Sequence, residues 1–574
     1  MNKKSILLTI FIIISSITLL ELSMRIKRGF LPTEPLPSGF DYNYVSIYKK
    51  IFTKTLLSNG ILVYKLQHVN RMGDSQYFQA NKPKGSFRIF LLGGSVAYNF
   101  DNDNLQCFKE MMRVLMPKAK IEIINCGFCG YDSYRDSIVF REVIKYKPDL
   151  IILMSGNNEC NSPVRVIVWA YKLNRFLRNL WIYRELQDNL ISRFYIHRHL
   201  TFQGRLRNFK RNIRIMVGEA KQRKIPIALC TLPTNVRDYF HCCGNKTGHD
   251  FESKQYFFAW IAFQEGKIQE AIEGFKQYVI FNPENGYATY FLGKCYDELG
   301  NYSLAKEYYL KTIESEVHRC TPQHNNIIRS ICKEEDIILV DLEKAFTNIA
   351  PHGLVGKEYL YDICHWYRDR YILVSEEIVK SALEYFKTHL NSSLIGSSQI
   401  ENNHFLRIHD VAVSCPINLT ARERAIEMLS HTMLHLHRNY DIVLEEESLS
   451  SIKIAYQLAP EVFESRDFLK EQLSRVFYSQ GYTPGNCLNT EEFWDTFLMY
   501  FAETLRRLGE YAKAIDYFDE VNNREQNFCF LYLGRSMAYC KIGQTERAKA
   551  DFEELSKRNC NNKALELYRE LLRF

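Results

Sequence analysis

The residues of this chain whose types and spacing could do chemistry together fall in two short strings far apart. One is Gly93-Gly94-Ser95, directly after the mostly apolar run Phe87-Arg88-Ile89-Phe90-Leu91-Leu92; the other is Asp362-Ile363-Cys364-His365. A serine on a glycine turn after a buried strand is placed as an exposed nucleophile. A carboxylate and an imidazole three residues apart can share one loop, the acid orienting the base. That is the inventory of nucleophilic acyl transfer. Gly-Gly-Ser is also common in ordinary turns, and Asp-x-x-His in helix caps and surface pairs, so neither string is specific alone.

Two further segments lie between them. Asn125-Cys126-Gly127-Phe128-Cys129-Gly130-Tyr131-Asp132-Ser133 follows the strand-like Ile121-Glu122-Ile123-Ile124, and Gly156-Asn157-Asn158-Glu159 follows Asp149-Leu150-Ile151-Ile152-Leu153-Met154. Both are β-branched apolar runs that break into a small-residue turn. In an open α/β sheet, ligands bind in the crevice at the carboxyl ends of parallel strands, where Ser95, Gly130 and Asn158 would converge.

These four blocks, in this order, resemble the GDSL-like or SGNH hydrolase family. The resemblance covers roughly residues 86–245 and 320–390. It implies an α/β fold, a three-layer parallel-sheet hydrolase domain, with Ser95 as nucleophile and Asp362 and His365 as the closing Asp-x-x-His. It also implies that the Gly130 N–H and the Asn158 amide face the oxyanion. Three positions depart from the family pattern: Gly94 stands where Asp is usual, Asn99 where a glycine is common, and Glu159 where Asp is commoner. Asn tolerates left-handed backbone better than most residues, so the second change is mild. None removes a reacting group. In the implied mechanism His365 takes the Ser95 proton and Asp362 holds the imidazole tautomer. The N–H groups of Ser95 and Gly130 and the Asn158 amide receive the oxyanion.

A second architecture is written inside the first. Gly266, Ala271 and Phe275 recur thirty-four residues on as Gly300, Ala305 and Tyr309, with Pro283, Gly293 and Tyr296 between. Gly509, Ala514 and Phe518 recur at the same offset as Gly543, Ala548 and Phe552. This is the period and pattern of tetratricopeptide-like helical hairpins, in which small residues let two helices approach and aromatics fill the groove. The first pair interrupts the hydrolase after Thr231-Leu232-Pro233, a strand end. The second closes the chain after a mixed helical region. Two repeats bury little by themselves, so flanking helices are expected to complete each core. Stacked hairpins present a surface for a protein or peptide partner, or serve only to shape the hydrolase.

Ends and composition set the remaining bounds. Lys3 and Lys4 precede an apolar run from Ile6 to Leu20, followed by Glu21, Arg25, Lys27 and Arg28. With its flank the run is about long enough to span a bilayer, and Glu21-Leu22-Ser23-Met24 makes a poor cleavage site. The reading is a retained signal anchor, a single-pass transmembrane helix. Cationic residues at both ends leave its orientation open, and an extracytoplasmic catalytic domain is expected from the resemblance. The 574 residues carry a net charge of +8 without a long basic run, which argues against nucleic-acid binding. The 16 cysteines show no disulfide framework by spacing and read as small buried hydrophobes. Cys126-Gly127-Phe128-Cys129 has the form of a thiol redox pair, but it falls inside the glycine block. His431, His435 and His437, and separately His241-Cys242-Cys243, lack a complete metal-ligand pattern, so no metal and no cofactor are expected.

The expected organisation is an anchor over 1–28, a connecting extension over 29–85, and the hydrolase over 86–245 and 320–390. Inserted repeats occupy 250–317, and a C-terminal helical region with repeats runs over 400–574. The expected activity is that of a serine esterase on O-acyl, above all O-acetyl, esters of carbohydrate or envelope polymers. The alternatives are an O-acyltransferase using the same triad, a catalytically silent repeat scaffold, and a thiol oxidoreductase at Cys126 and Cys129.

Overall fold

In a computed structural model of the chain, the residues described are 3–28, 51–66, 76–159, 180, 202–239, 249–251, 253–313, 319–389, 403–415, 417–433, 444, 446–479, 491–524 and 529–558. The chain falls into two compact units, Met1–Ile51 with Asn161–Asn208, and Phe52–Cys160 with Phe209–Phe574.

In the first unit, helix α1 (Lys3–Arg28) forms where the apolar run predicts one. Ser15, Ser16, Thr18 and Glu21 interrupt its apolar character, and Glu21 pairs with Arg25 one turn on at 2.8 Å. Among the described residues no helix is long and apolar enough to cross a membrane. The expectation of a membrane-spanning anchor over 1–28 finds no support among the described residues, of which 3–28 are helical.

In the second unit, the residues just before the parallel sheet add a small antiparallel sheet, order β1-β2-β3 (Phe52–Leu56, Leu62–Leu66, Tyr77–Gln79). Phe52 and Phe78 pack edge-on against Phe90 of the next strand. Five strands then form one parallel sheet in the order β5-β4-β6-β7-β8: β4 (Ser86–Gly93), β5 (Lys120–Gly127), β6 (Leu150–Met154), β7 (Ile227–Thr231) and β8 (Ile338–Asp341). Their near-continuous apolar runs match strands covered on both faces, and every residue of β6 and β7 is buried. Helices α2 (Ser95–Tyr98) and α3 (Asn102–Leu115) follow β4, and α4 (Ser133–Val143) follows β5. After β6 comes α5 (Phe202–Gln222).

Between β7 and β8 run α6 (Lys254–Gln264), α7 (Ile268–Phe281), α8 (Gly286–Glu298), α9 (Tyr302–Ile313) and α10 (Pro322–Glu335). Helices α11 (Leu342–Ile349) and α12 (Arg370–His389) complete the α/β part. Ile89, Leu91, Ile152 and Val340 share a core with Phe108, Met111 and Met112 of α3 and Val374, Ile378 and Phe386 of α12. The alternate residues Phe90 and Leu92 face the other side, where α4 packs on β4.

The C-terminal region is helical throughout its described length: α13 (Asn403–Val413), α14 (Ala421–Met433), α15 (Glu446–Leu458), α16 (Arg466–Ser479), α17 (Glu491–Arg507), α18 (Tyr511–Arg524), α19 (Cys529–Lys541) and α20 (Thr545–Ser556). The repeats are hairpins pairing α6 with α7, α8 with α9, α17 with α18 and α19 with α20. Their recurring glycines Gly266, Gly300, Gly509 and Gly543 all hold left-handed φ between +72° and +83°, the conformation that ends the first helix and turns the chain. The recurring alanines and aromatics are buried.

The two pairs do not make separate cores. Phe257, Phe275 and Phe291 of the insertion join Ile452, Phe501 and Phe518 of the C-terminal region in one cluster, which also takes in Tyr367 and Leu354 of the α/β part. A disulfide, Cys107–Cys415, ties α3 to the segment after α13 across 308 residues, and Cys529 is also disulfide-bonded. For these three residues the reading of the cysteines as unpaired hydrophobes is corrected, because the Cys107–Cys415 pairing is too distant in sequence for spacing to show it.

Gly293 of α8 lies where a Cβ would stand 2.6 Å from the ring of Tyr309 on α9, and Tyr309 is itself fixed by donating its hydroxyl to Asp297 at 3.1 Å. Gly293→Ala is expected to destabilise the second unit by about 1–3 kcal/mol, the usual cost of overpacking. Thermal melting monitored by circular dichroism measures it; an unchanged midpoint would show that the hairpin can open without cost.

Candidate active site

The strand register brings the site together. Gly93 lies opposite Gly127 on one side and Met154 on the other, so β4, β5 and β6 end level and their loops emerge side by side. Within the central sheet this is the 2-1-3-4-5 order, whose topological switch lies between β4 and β6. Ser95 opens α2 immediately after β4, with Gly94 as cap. A Cβ at Gly94 would stand 2.6 Å from Asn158 Nδ2 and 3.0 Å from the Tyr131 carbonyl, so the three loops touch there. Asn158 Nδ2 donates to the Tyr131 carbonyl at 3.0 Å, which orients the amide across the cleft end of β5 and β6. Gly130 sits on the same loop as Tyr131 with φ +74°.

The later loop meets them. Asp362 Oδ1 accepts from the backbone N–H groups of Cys364 and His365, at 2.9 and 2.8 Å. Its other oxygen lies 2.6 Å from His365 Nδ1, and His365 Nε2 lies 2.6 Å from Ser95 Oγ. The loop is held from behind by residues after β7: Thr234 Oγ1 and the Asn235 N–H both donate to the Ile363 carbonyl, at 2.9 and 3.0 Å. All five residues named from sequence therefore lie on neighbouring loops, and Ser95, His365 and Asp362 form one hydrogen-bonded chain.

Burial opposes charge on His365, yet Asp362 beside it prevails and holds the imidazole well above its ordinary 6.5. Burial likewise works against the Asp362 carboxylate, but His365 and the two backbone N–H donors hold it below the usual carboxylate range. The Cys364 thiol is pushed up by burial. Asp362, Cys364 and His365 have donor atoms within 4.8 Å of one another, a spacing a metal ion could use. In this arrangement, however, Asp362 is engaged by His365 and two backbone amides, and His365 Nε2 faces Ser95.

Beneath the glycine loop lies a buried acid cluster. Glu159 accepts from both the N–H and the hydroxyl of Ser133 at 2.8 Å, and Asn212 donates to the same hydroxyl at 3.0 Å. Burial, then the neighbouring Asp132, pushes Glu159 up to about 8; burial pushes Asp136 to about 8 as well. Glu159 thus joins the third block to the second.

Other supporting residues carried no sequence signal of their own. Asn125 Nδ2 donates to the carbonyls of Ala97 and Phe100 at 2.8 and 3.2 Å, tying β5 to the turn that carries Ser95. Asn157 accepts from the Cys320 N–H at 2.9 Å. The argument from left-handed backbone at Asn99 is corrected: φ −74° and ψ −1° are right-handed, and its side chain instead donates to the Tyr361 hydroxyl at 3.3 Å. Cys126 is buried, with its thiol pushed well up by that burial, and Cys129 is exposed. For Cys126 this is the reverse of an activated redox thiol. His431 is buried in α14; His435, His437, His241, Cys242 and Cys243 lie outside the described residues.

A tetratricopeptide repeat family model matches residues 258–323. No curated protein sequence matches the chain. Among solved structures, the chain is similar to a GDSL-like lipase from Bacteroides thetaiotaomicron, at 14% identity and TM-score 0.28 over 53% of this chain and 91% of the other. It is similar to a putative acylhydrolase from Bacteroides fragilis, at 15% identity and TM-score 0.28 over 54% and 91%. It is also similar to an acetylxylan esterase from Geobacillus stearothermophilus, at 12% identity and TM-score 0.26 over 52% and 94%.

The His365–Asp362 pair has a measurable titration. His365 should keep its proton to a midpoint above 6.5, followed by NMR of its ring protons. Because its folded pKa is raised, its contribution to stability is full below 6.5 and fades as pH rises through that midpoint. Asp362→Asn should bring the midpoint down; an unmoved midpoint would show that another group sets it.

Proposed function

We propose that this chain is a serine esterase acting on O-acyl esters. The supporting observation is the single hydrogen-bonded chain from Ser95 Oγ through both nitrogens of His365 to Asp362, with 2.6 Å at each end. In this reading Ser95 Oγ attacks the ester carbonyl carbon while His365 Nε2 takes the hydroxyl proton. The carbonyl oxygen, now negative, receives hydrogen bonds from the N–H groups of Ser95 and Gly130 and from the Asn158 amide. When the intermediate collapses, the alcohol leaves with the proton held by His365. Water then attacks the acyl-serine, gives its proton to His365, and the acid departs as Ser95 regains its hydrogen. Asp362, held below the carboxylate range, stays ionised and stabilises the imidazolium in both halves.

For the alcohol side we propose carbohydrate, with acetyl as the acyl group, and acetylated oligosaccharides head the substrate panel beside simple p-nitrophenyl esters. A raised His365 pKa means that the free enzyme must lose a proton before it can act. The value of kcat/KM should therefore rise with pH and level off, with a midpoint above 6.5.

A fluorophosphonate probe should label the full-length chain, and Ser95→Ala should abolish both labelling and ester hydrolysis. Asn158→Ala should lower kcat by about 10²–10³ with little change in KM, as loss of one oxyanion donor does elsewhere. A folded parent that neither takes the probe nor hydrolyses any ester of the panel would overturn the reading.

A further inference from the structure

The catalytic loop is not walled by the hydrolase part alone. Tyr361, one residue before Asp362, lies parallel to the His365 imidazole, with ring centroids 5.5 Å apart and 11° between planes. The same ring is stacked on His431, at 3.8 Å and 3°. His431 belongs to α14, in the C-terminal helical region, and is buried, with Tyr367 set edge-on to it at 6.0 Å.

Tyr361 is otherwise held at its ends. Its N–H donates to the His365 carbonyl at 3.0 Å, its own carbonyl accepts from Lys357 Nζ at 2.8 Å, and its hydroxyl accepts from Asn99. These bonds fix the backbone and the phenol tip. The ring face is braced by His431.

Helix α14 is itself fixed to the loop just beyond His365. Glu427, one turn before His431, accepts from the Arg368 N–H at 3.2 Å, and Arg424 pairs with Asp369. The Arg368 guanidinium then reaches Asp101 at 2.8 Å and also pairs with Asp103, at the start of α3 and six to eight residues after Ser95. One network thus joins α14 to the base loop and to the segment behind the nucleophile.

We propose that His431 is a positioning residue for the catalytic imidazole, acting through the face of Tyr361. The inference rests on the triad reading above. The imidazole must present Nε2 to Ser95 and Nδ1 to Asp362 at once, and a ring that rocks satisfies one at the expense of the other. Misplacement by about 1 Å at a reacting centre can cost 10²-fold in rate. A flat partner of any charge serves as the brace, so Phe at 431 should replace His and Ala should not.

The test compares the full-length parent with His431→Ala, His431→Phe and Ser95→Ala. Two readouts are taken: p-nitrophenyl acetate turnover, and the downfield NMR resonance of the His365 Nδ1–H shared with Asp362. The expected result is a fall in kcat of roughly 10- to 100-fold in His431→Ala with KM unchanged. The resonance should shift or broaden alongside, and His431→Phe should recover both. Equal kcat and an unmoved resonance in His431→Ala would overturn the proposal, and so would equal losses in the Ala and Phe variants. A parent without Ser95-dependent turnover would instead count against the esterase reading. The resonance would still show whether His431 sets the His365 environment.

Discussion

The level ending of three adjacent parallel strands is the constraint on which the rest of this molecule depends. Because Gly93 faces Gly127 and Met154, the Ser95 turn, the glycine loop and the asparagine loop leave the sheet at one height. A one-residue slip in a strand pair would carry a loop about 3.3 Å along the strand axis and exchange the faces of every side chain. The buried apolar residues on both sheet faces forbid that slip. The packing of the core is therefore also what sets the geometry of the cleft.

Much of this was legible. Runs such as Leu150–Met154 are apolar without alternation because both sheet faces are covered, and the turns that follow are rich in small residues. The repeats were legible for a different reason: each glycine at the helix turn needs left-handed backbone, and each alanine and aromatic meets a partner helix at fixed spacing. Asp362 and His365 lie three apart because one oxygen of the acid takes the loop's own N–H groups while the other meets the ring. Local physics leaves local patterns.

What was not legible depends on contacts between segments distant in sequence. Nothing near Cys107 announces Cys415, and nothing near His365 announces His431 or Asn99. The sharing of one core by both repeat pairs is equally invisible, since each hairpin has the same pattern whether it stacks on its neighbour or on a helix 200 residues away. The buried acids under the glycine loop were hidden too. Burial pushes the carboxyls of Asp136 and Glu159 up, an effect of packing that formal charge does not convey.

The wiring of the chain also sets an order in time. Ser95 and His365 are 270 residues apart, and β7 can pair with β8 only after the whole helical insertion has been made. Contacts of such separation form late, because closing long loops is entropically unfavourable before the contacts reward it. On the ribosome the sheet therefore waits with an open edge until β8 emerges. The wall behind Tyr361 waits longer still, until α14 has followed. A chain assembled this way has no complete Ser95–His365–Asp362 set in its nascent N-terminal half, and Tyr361 meets His431 only once α14 has folded.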